Sequence, residues 1–311
     1  FLGFEPLSVE LGVFWDRFGF IEPYDTYVFG RTHQGGVKAR WELSDDAYVQ
    51  AGAGAHQEQL QQNQGLTPVV HLVGGAPVPG ADDLVLGGYL VKSWTRDKRQ
   101  LSPIEDGDLT VYGIDARYRM PREMGTAYAA LSYADAEQAL FLAPALELLH
   151  STGGRGLTEN YLGLDSSNNG TGSLLTFALD VPAQLTAAFD TRLFGMATWV
   201  RSDQVDEMNP VVNKDRRMYL KWGLEPGYLV SKRGIRAAMR YDRVILDLYD
   251  AENSFRVLSP KVSFPLDRWG ELMLMYSRYF YGDKIQLRPG QVPLETEPDE
   301  NVFKVQAQAV W

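Results

Sequence analysis

The chain ends on N-V-F-K-V-Q-A-Q-A-V-W, Asn301 to Trp311, and the reading of this stretch decides the fold. Taken two by two, Phe303, Val305, Ala307, Ala309 and Trp311 fall on one side of an extended chain, and Lys304, Gln306 and Gln308 on the other. The segment is therefore a strand with an apolar and a polar side. Alone, it suits the last strand of a soluble all-β domain as well as a strand whose apolar side meets lipid. The rest of the chain must separate the two.

Alternation of the same kind recurs upstream. Val9, Leu11, Val13 and Trp15 oppose Ser8, Glu10 and Gly12; Val37, Ala39, Trp41 and Leu43 oppose Lys38, Arg40 and Glu42; Tyr112, Ile114, Ala116 and Tyr118 oppose Asp115, Arg117 and Arg119. Further strands are expected over 47–56, 67–75, 84–94, 126–134, 173–181, 191–200, 217–229, 235–246, 254–265 and 271–282. The face assignment is ambiguous over 84–94, 191–200 and 254–281, where β-bulges are one explanation. About fourteen strands result. Long connections at 16–34, 57–66, 95–107, 135–170, 201–216, 247–253 and 283–300 alternate with short turns near 44, 80, 122, 186, 232 and 268. An up-and-down barrel with long loops at one end and short turns at the other has this pattern, whereas sandwiches and propellers give no reason for it. Within 135–170, the Ala- and Leu-rich 136–150 could form a short helix around Pro144.

Composition is compatible with this. Apolar residues make up 45% and charged residues 23% of the 311, which excludes a disordered chain. No run approaches eighteen apolar residues, so no helical membrane span is expected, but a spanning barrel would show none. Thirty glycines, sixteen tyrosines and seven tryptophans suit turns and aromatic girdles. Cysteine is absent, which removes disulfides and thiolate metal ligands. No signal peptide is visible at residues 1–12, and the net charge of -10 argues against a nucleic-acid partner.

With alternation, loop parity and the terminal aromatic in place, the chain resembles Gram-negative bacterial outer-membrane porins. The likeness covers the whole chain as architecture and, as motif, Y-S-R-Y-F-Y-G at 276–282 and the closing strand, with a weaker match in E-L-G-V-F-W-D-R-F-G near the start. It implies an all-β transmembrane antiparallel up-and-down β-barrel of about fourteen strands, or sixteen if N-terminal strands are missing, forming one domain over 1–311. It also implies an outer-membrane location, contact with the lipid bilayer and lipopolysaccharide, and a barrel insertion machinery that reads the terminal strand through Phe303, Val305 and Trp311. A homo-oligomer or an envelope-complex partner fits the same family.

A charged side chain facing lipid at mid-membrane costs about 2 to 4 kcal/mol, so strand charges should face the lumen. This places Lys38, Arg40, Arg117, Arg119, Lys221, Arg236, Arg240 and Lys304 there, with Glu10, Glu42, Asp115, Glu225 and Asp242. Such a lumen is net basic although the chain is acidic, and it favours passive diffusion of small hydrophilic solutes, anionic ones among them. The competing expectation is that these charges pair with one another and fill a closed lumen. The 135–170 loop would fold inward as a constriction lined by Arg155, Glu159 and Tyr161.

Enzyme signatures are missing. His33, His56, His71 and His150 are isolated, without metal-ligand spacing, and no cofactor or metal is expected. The sequence has neither G-x-S-x-G nor G-x-x-x-x-G-K, and A-G-A-G-A at 51–55 has no helix after it. Asn169-Gly170-Thr171 matches a glycosylation sequon, a pattern common by chance. Two other functions remain compatible: a structural or anchoring barrel within an envelope complex, and an uptake channel for hydrophobic compounds.

Overall fold

The alternating segments fold as strands because each places apolar side chains on one face and polar or small ones on the other, which a pleated chain separates. The structure is a computed structural model that describes residues 2–4, 6–16, 32–56, 68–95, 107–139, 171–203, 214–231, 233–250, 252, 254–266, 270–282 and 300–309. In chain order the strands are β1 (Leu2–Phe4), β2 (Leu7–Asp16), β3 (Thr32–Ser44), β4 (Ala47–His56), β5 (Pro68–Val78), β6 (Ala81–Thr95), β7 (Gly107–Arg119) and β8 (Thr126–Glu137). They continue as β9 (Gly172–Gln184), β10 (Phe189–Ser202), β11 (Arg216–Leu229), β12 (Arg236–Ile245), β13 (Ser254–Pro265), β14 (Gly270–Tyr281) and β15 (Glu300–Ala309). All fifteen form one sheet in sequence order. Every neighbouring pair is antiparallel, from Phe4↔Leu7 between β1 and β2 to Gly270↔Ala309 between β14 and β15. This is the all-β, up-and-down antiparallel fold class read from the sequence, with fourteen long strands preceded by the short β1.

The short connections lie at one end of the sheet, the turn end, and the long ones at the other, the loop end. Pro79 and Gly80 alone join β5 to β6, where the alternation suggests a turn over 76–83. Gly80 takes φ +80°, a left-handed conformation that costs glycine little. A 3-10 turn, Pro121–Glu123, joins β7 to β8, and the Met120 N–H donates to the Gly125 carbonyl at 2.8 Å to close it.

Several expectations need correction. Residues 182–184 continue β9 rather than turning the chain; Pro182 lies opposite Arg192, and the turn is confined to 185–188. Ala136 and Glu137 are the last residues of β8, so no helix begins at Ala136, and the rest of 140–170 lies outside the described residues. The ambiguous strands hold a continuous register; register shifts occur instead at Glu42/Ser44 and Pro77/Val78, beside turns. Barrel closure would need Asn301–Trp311 to pair with Leu7–Trp15, and that pair is not formed among the described residues. β15 pairs with β14, and β1 occupies the edge of β2 from Leu7 to Val9.

The two faces of the sheet differ sharply. On one, Val91, Leu109, Val111, Leu174, Tyr219, Val244 and Phe255 are buried into a continuous core that runs from β5 to β14. On the other, each long strand from β2 to β15 exposes at least one large apolar residue. These residues meet directly across strands, as in Leu7↔Trp41, Leu72↔Leu90, Ile114↔Leu131↔Phe177, Leu193↔Leu224 and Tyr276↔Phe303. One cavity is lined both by the turn after β7 and by β15. In a flat sheet these would stand more than about 30 Å apart at the usual strand spacing. The sheet therefore curls, with the buried face inside.

Candidate functional site

The inner face changes character along the strands. Its loop-side half is the apolar core. Its turn-side half opens into a cavity of about 990 Å3 lined by charged side chains of β10 to β15 and by the turn residues Glu123 to Gly125. Arg192, Arg236, Arg240, Lys261 and Lys304 line it together with Glu123, Asp190, Glu225 and Glu271.

Most of these charges neutralise one another. Arg192 Nε donates to Asp180 at 2.7 Å, and its Nη2 meets the second carboxylate oxygen, a bidentate pair in which Asp180 is fully buried. Arg236 forms a second bidentate pair with Asp190 and reaches Glu225 at 3.5 Å. Lys261 Nζ sits 2.5 Å from the same Glu225. Arg240 clamps Asp242 through Nε and Nη2 at 2.7 and 2.6 Å, and its guanidinium lies 4.7 Å from the Phe194 ring centroid. Paired guanidinium and carboxylate groups of this kind hold each other's geometry and present a polar wall of low net charge. Lys304 differs: it is exposed on β15, and among the described residues no carboxylate pairs with it.

The network follows from the register. Residues two strands apart meet over the strand between them wherever its inner positions are small. Gly223 of β11 lies opposite both Phe194 and Asp242, and a β-carbon there would overlap the Phe194 ring. Phe194 can therefore lie flat across β11, and its face receives Arg240 from β12 on one hand and Lys221, 6.0 Å away, on the other.

The sequence-derived lumen set all falls on the inner face by strand parity, but not in one site. Lys38 pairs with Glu10 at 3.0 Å, and Arg40 with Glu42 at 2.6 Å, on β2 and β3. Asp115 is buried on β7, Arg117 pairs with Asp46 of the β3–β4 turn, and Arg119 is exposed at the turn end. Lys221, 1% exposed, belongs to the packed interior rather than to an open pore. Arg236, Arg240, Glu225 and Lys304 are the members that line the cavity, with Asp242 buried against Arg240. Arg155, Glu159, Tyr161 and Trp311 lie outside the described residues, whereas Phe303 and Val305 are exposed on the outer face.

Asp180, Asp190, Arg192 and Lys261 belong to the network and are absent from the sequence-derived set. Reading 182–190 as a turn removed Asp190, and mixed face assignments hid Arg192 and Lys261. The rule that a strand charge faces inward finds Asp180, Arg192 and Lys261, each within an expected strand, but not Asp190. Of the histidines, His71 is buried with its ring over Gly52 and its Nε2 3.4 Å from Gln50 Nε2. That position gives it a packing role on the inner wall. Among the described residues, no group of three His, Asp or Glu side chains could hold a metal ion. The chain matches no protein-family model, and no curated protein shows significant similarity to it.

Proposed function

We propose that this chain is a transmembrane β-barrel of the Gram-negative outer membrane, resembling porins, and that its charged cavity is part of a narrow path for small hydrophilic solutes. The observation that carries the reading is the outer face. Each of the long strands exposes at least one large apolar side chain on it. Exposed large apolar residues spread over fourteen neighbouring strands on one face are unusual for a water-soluble monomer, and lipid is the solvent that makes such a face stable. No helix among the described residues is long and apolar enough to span a membrane, so crossing would fall to the strands.

Outer-face charges support the same orientation. Lys92, Asp108, Asp135, Arg243, Arg256 and Arg278 all lie within four residues of the loop end of their strands. There a charge reaches headgroups and costs little. In this reading the loop end faces outward and the turn end faces the periplasm. Phe303 and Val305, exposed on the outer face of β15, are available to the insertion machinery in this reading. β15 would close the barrel on β2 beyond the segment that β1 covers.

Because Arg192, Arg236, Arg240 and Lys261 are bound to carboxylates, and Lys304 is offset by the exposed Glu123 and Glu271 on the same wall, the path should discriminate weakly by charge. Planar-bilayer recordings of the purified protein test this: discrete small conductance steps with weak selectivity are expected, and an absence of conductance removes the channel function. A structural barrel within an envelope complex is the second reading. The buried apolar core across the loop-side half of the interior favours it, since a lumen filled by packing conducts nothing. A silent barrel that co-purifies with a stoichiometric partner from native membranes would decide for it.

A further inference from the structure

Among the described residues, the outer face of β12 to β14 carries a concentration of like charge that the ion-pair network does not explain. Arg243 of β12 and Arg256 of β13 are direct cross-strand partners, and Arg256 is in turn opposite Phe280 of β14. Two residues further from the loop end on β14 stands Arg278, on the same face. Like charges directly opposite on neighbouring strands repel. Here they are also held together: the Arg256 and Arg278 guanidiniums lie 5.3 and 5.0 Å from the Phe280 ring centroid, and Arg243 Nη2 donates to Ser254 Oγ at 2.8 Å. Arg256 and Arg278 are exposed, and among the described residues no carboxylate pairs with Arg243 or Arg256.

On the turn side of this patch the same outer face becomes apolar. Tyr241 and Leu258 lie in the adjoining row, and Met239, Tyr276 and Phe303 in the next. Trp222 stands beside Arg243 with its ring 5.4 Å from Tyr241. A ligand that fits must present an anion level with the loop-end rim and hydrocarbon below it. Guanidinium is suited to phosphate oxygens, and several converge here.

We propose that Arg243, Arg256 and Arg278, held by Phe280 and Ser254, form a binding site for a phosphorylated lipid headgroup of the loop-side leaflet, with its acyl chains on the apolar rows beneath. This rests on the membrane reading given above. The anion supplies the counter-charge that the cross-strand arginine pair lacks.

The test uses the full chain in detergent micelles, with native mass spectrometry to count retained lipid as lipid A, a bisphosphorylated glycolipid, is titrated in. Phosphatidylcholine and inorganic phosphate serve as separate arms. Lipid A should be retained, with neither other arm matching it. An R256Q/R278Q double variant should lose retention by about tenfold or more, as two charge-assisted contacts disappear. The R122Q/R233Q variant makes the same charge change on exposed turn-end residues and should retain lipid A as the parent does. Equal retention by R256Q/R278Q, or retention of phosphatidylcholine equal to that of lipid A, overturns the site. Equal retention of inorganic phosphate shows an anion site without lipid and overturns it too. Heat-modifiable gel mobility in the same samples separates the two levels of failure. A chain that shows it but binds no lipid A contradicts this site alone, whereas a chain soluble without detergent contradicts the membrane reading.

Discussion

Glu225 is the carboxylate on which two cations converge. It is 3% exposed, and Arg236 and Lys261 approach it from β12 and β13 across the wall. Replacing it with Gln would remove the carboxylate 2.5 Å from the nearly buried Lys261 Nζ, and breaking a buried pair in this way costs on the order of 3 to 5 kcal/mol. Arg236 keeps Asp190, so the loss should centre on Lys261. The expected outcome of E225Q is a lower urea midpoint for the protein folded in vesicles. Adding K261M should recover most of that loss, because an apolar replacement for a whole buried pair is often neutral or better. No recovery in the double variant would show that Lys261 draws its counter-charge from elsewhere.

At the scale of one strand, β8 shows what the outer face demands. Leu131 sits near its middle, 43% exposed, between Ile114 and Phe177, while Asp135 occupies the same face near the loop end. Against lipid, L131R should cost about 2 to 4 kcal/mol and D135R about 0 to 1. Urea unfolding from vesicles measures both, and equal effects would mean that depth along the strand does not matter, as for a face in water. The same strand marks how far sequence reasoning reaches. Alternation was legible wherever one face was apolar and the other charged, as on β3, β7 and β12. It blurred on β6, β10, β13 and β14 for two physical reasons. The loop-side interior is itself apolar, so Val91, Met196, Val257 and Tyr279 face inward where polar residues were expected. Lys92, Arg256 and Arg278 face outward near the rim, where charge is tolerated. The site was legible as a set of inward charges but not as pairs, because Arg236–Asp190 and Lys261–Glu225 each bridge strands that are not adjacent.

Across the whole molecule, strand direction constrains closure. β1 and β15 run in the same sense, since consecutive strands alternate from one to the other. β15 can therefore complete an antiparallel barrel on β2, whose edge beyond Val9 is not covered by β1. The chain has no cysteine, so introduced pairs report cleanly. Cysteines scanned along 11–15 and 301–305 should yield at least one oxidative cross-link in the folded protein, and none would indicate that the edges stay apart. The claim beneath all of this is that lipid covers the outer face. Trp222 lies on that face, 40% exposed, well inside β11. A variant retaining only this tryptophan, folded into vesicles whose acyl chains carry bromine, tests the claim most directly. Strong quenching of its fluorescence is expected; an unquenched Trp222, in a protein that stays folded in solution without detergent, would mean that water and not lipid covers this face.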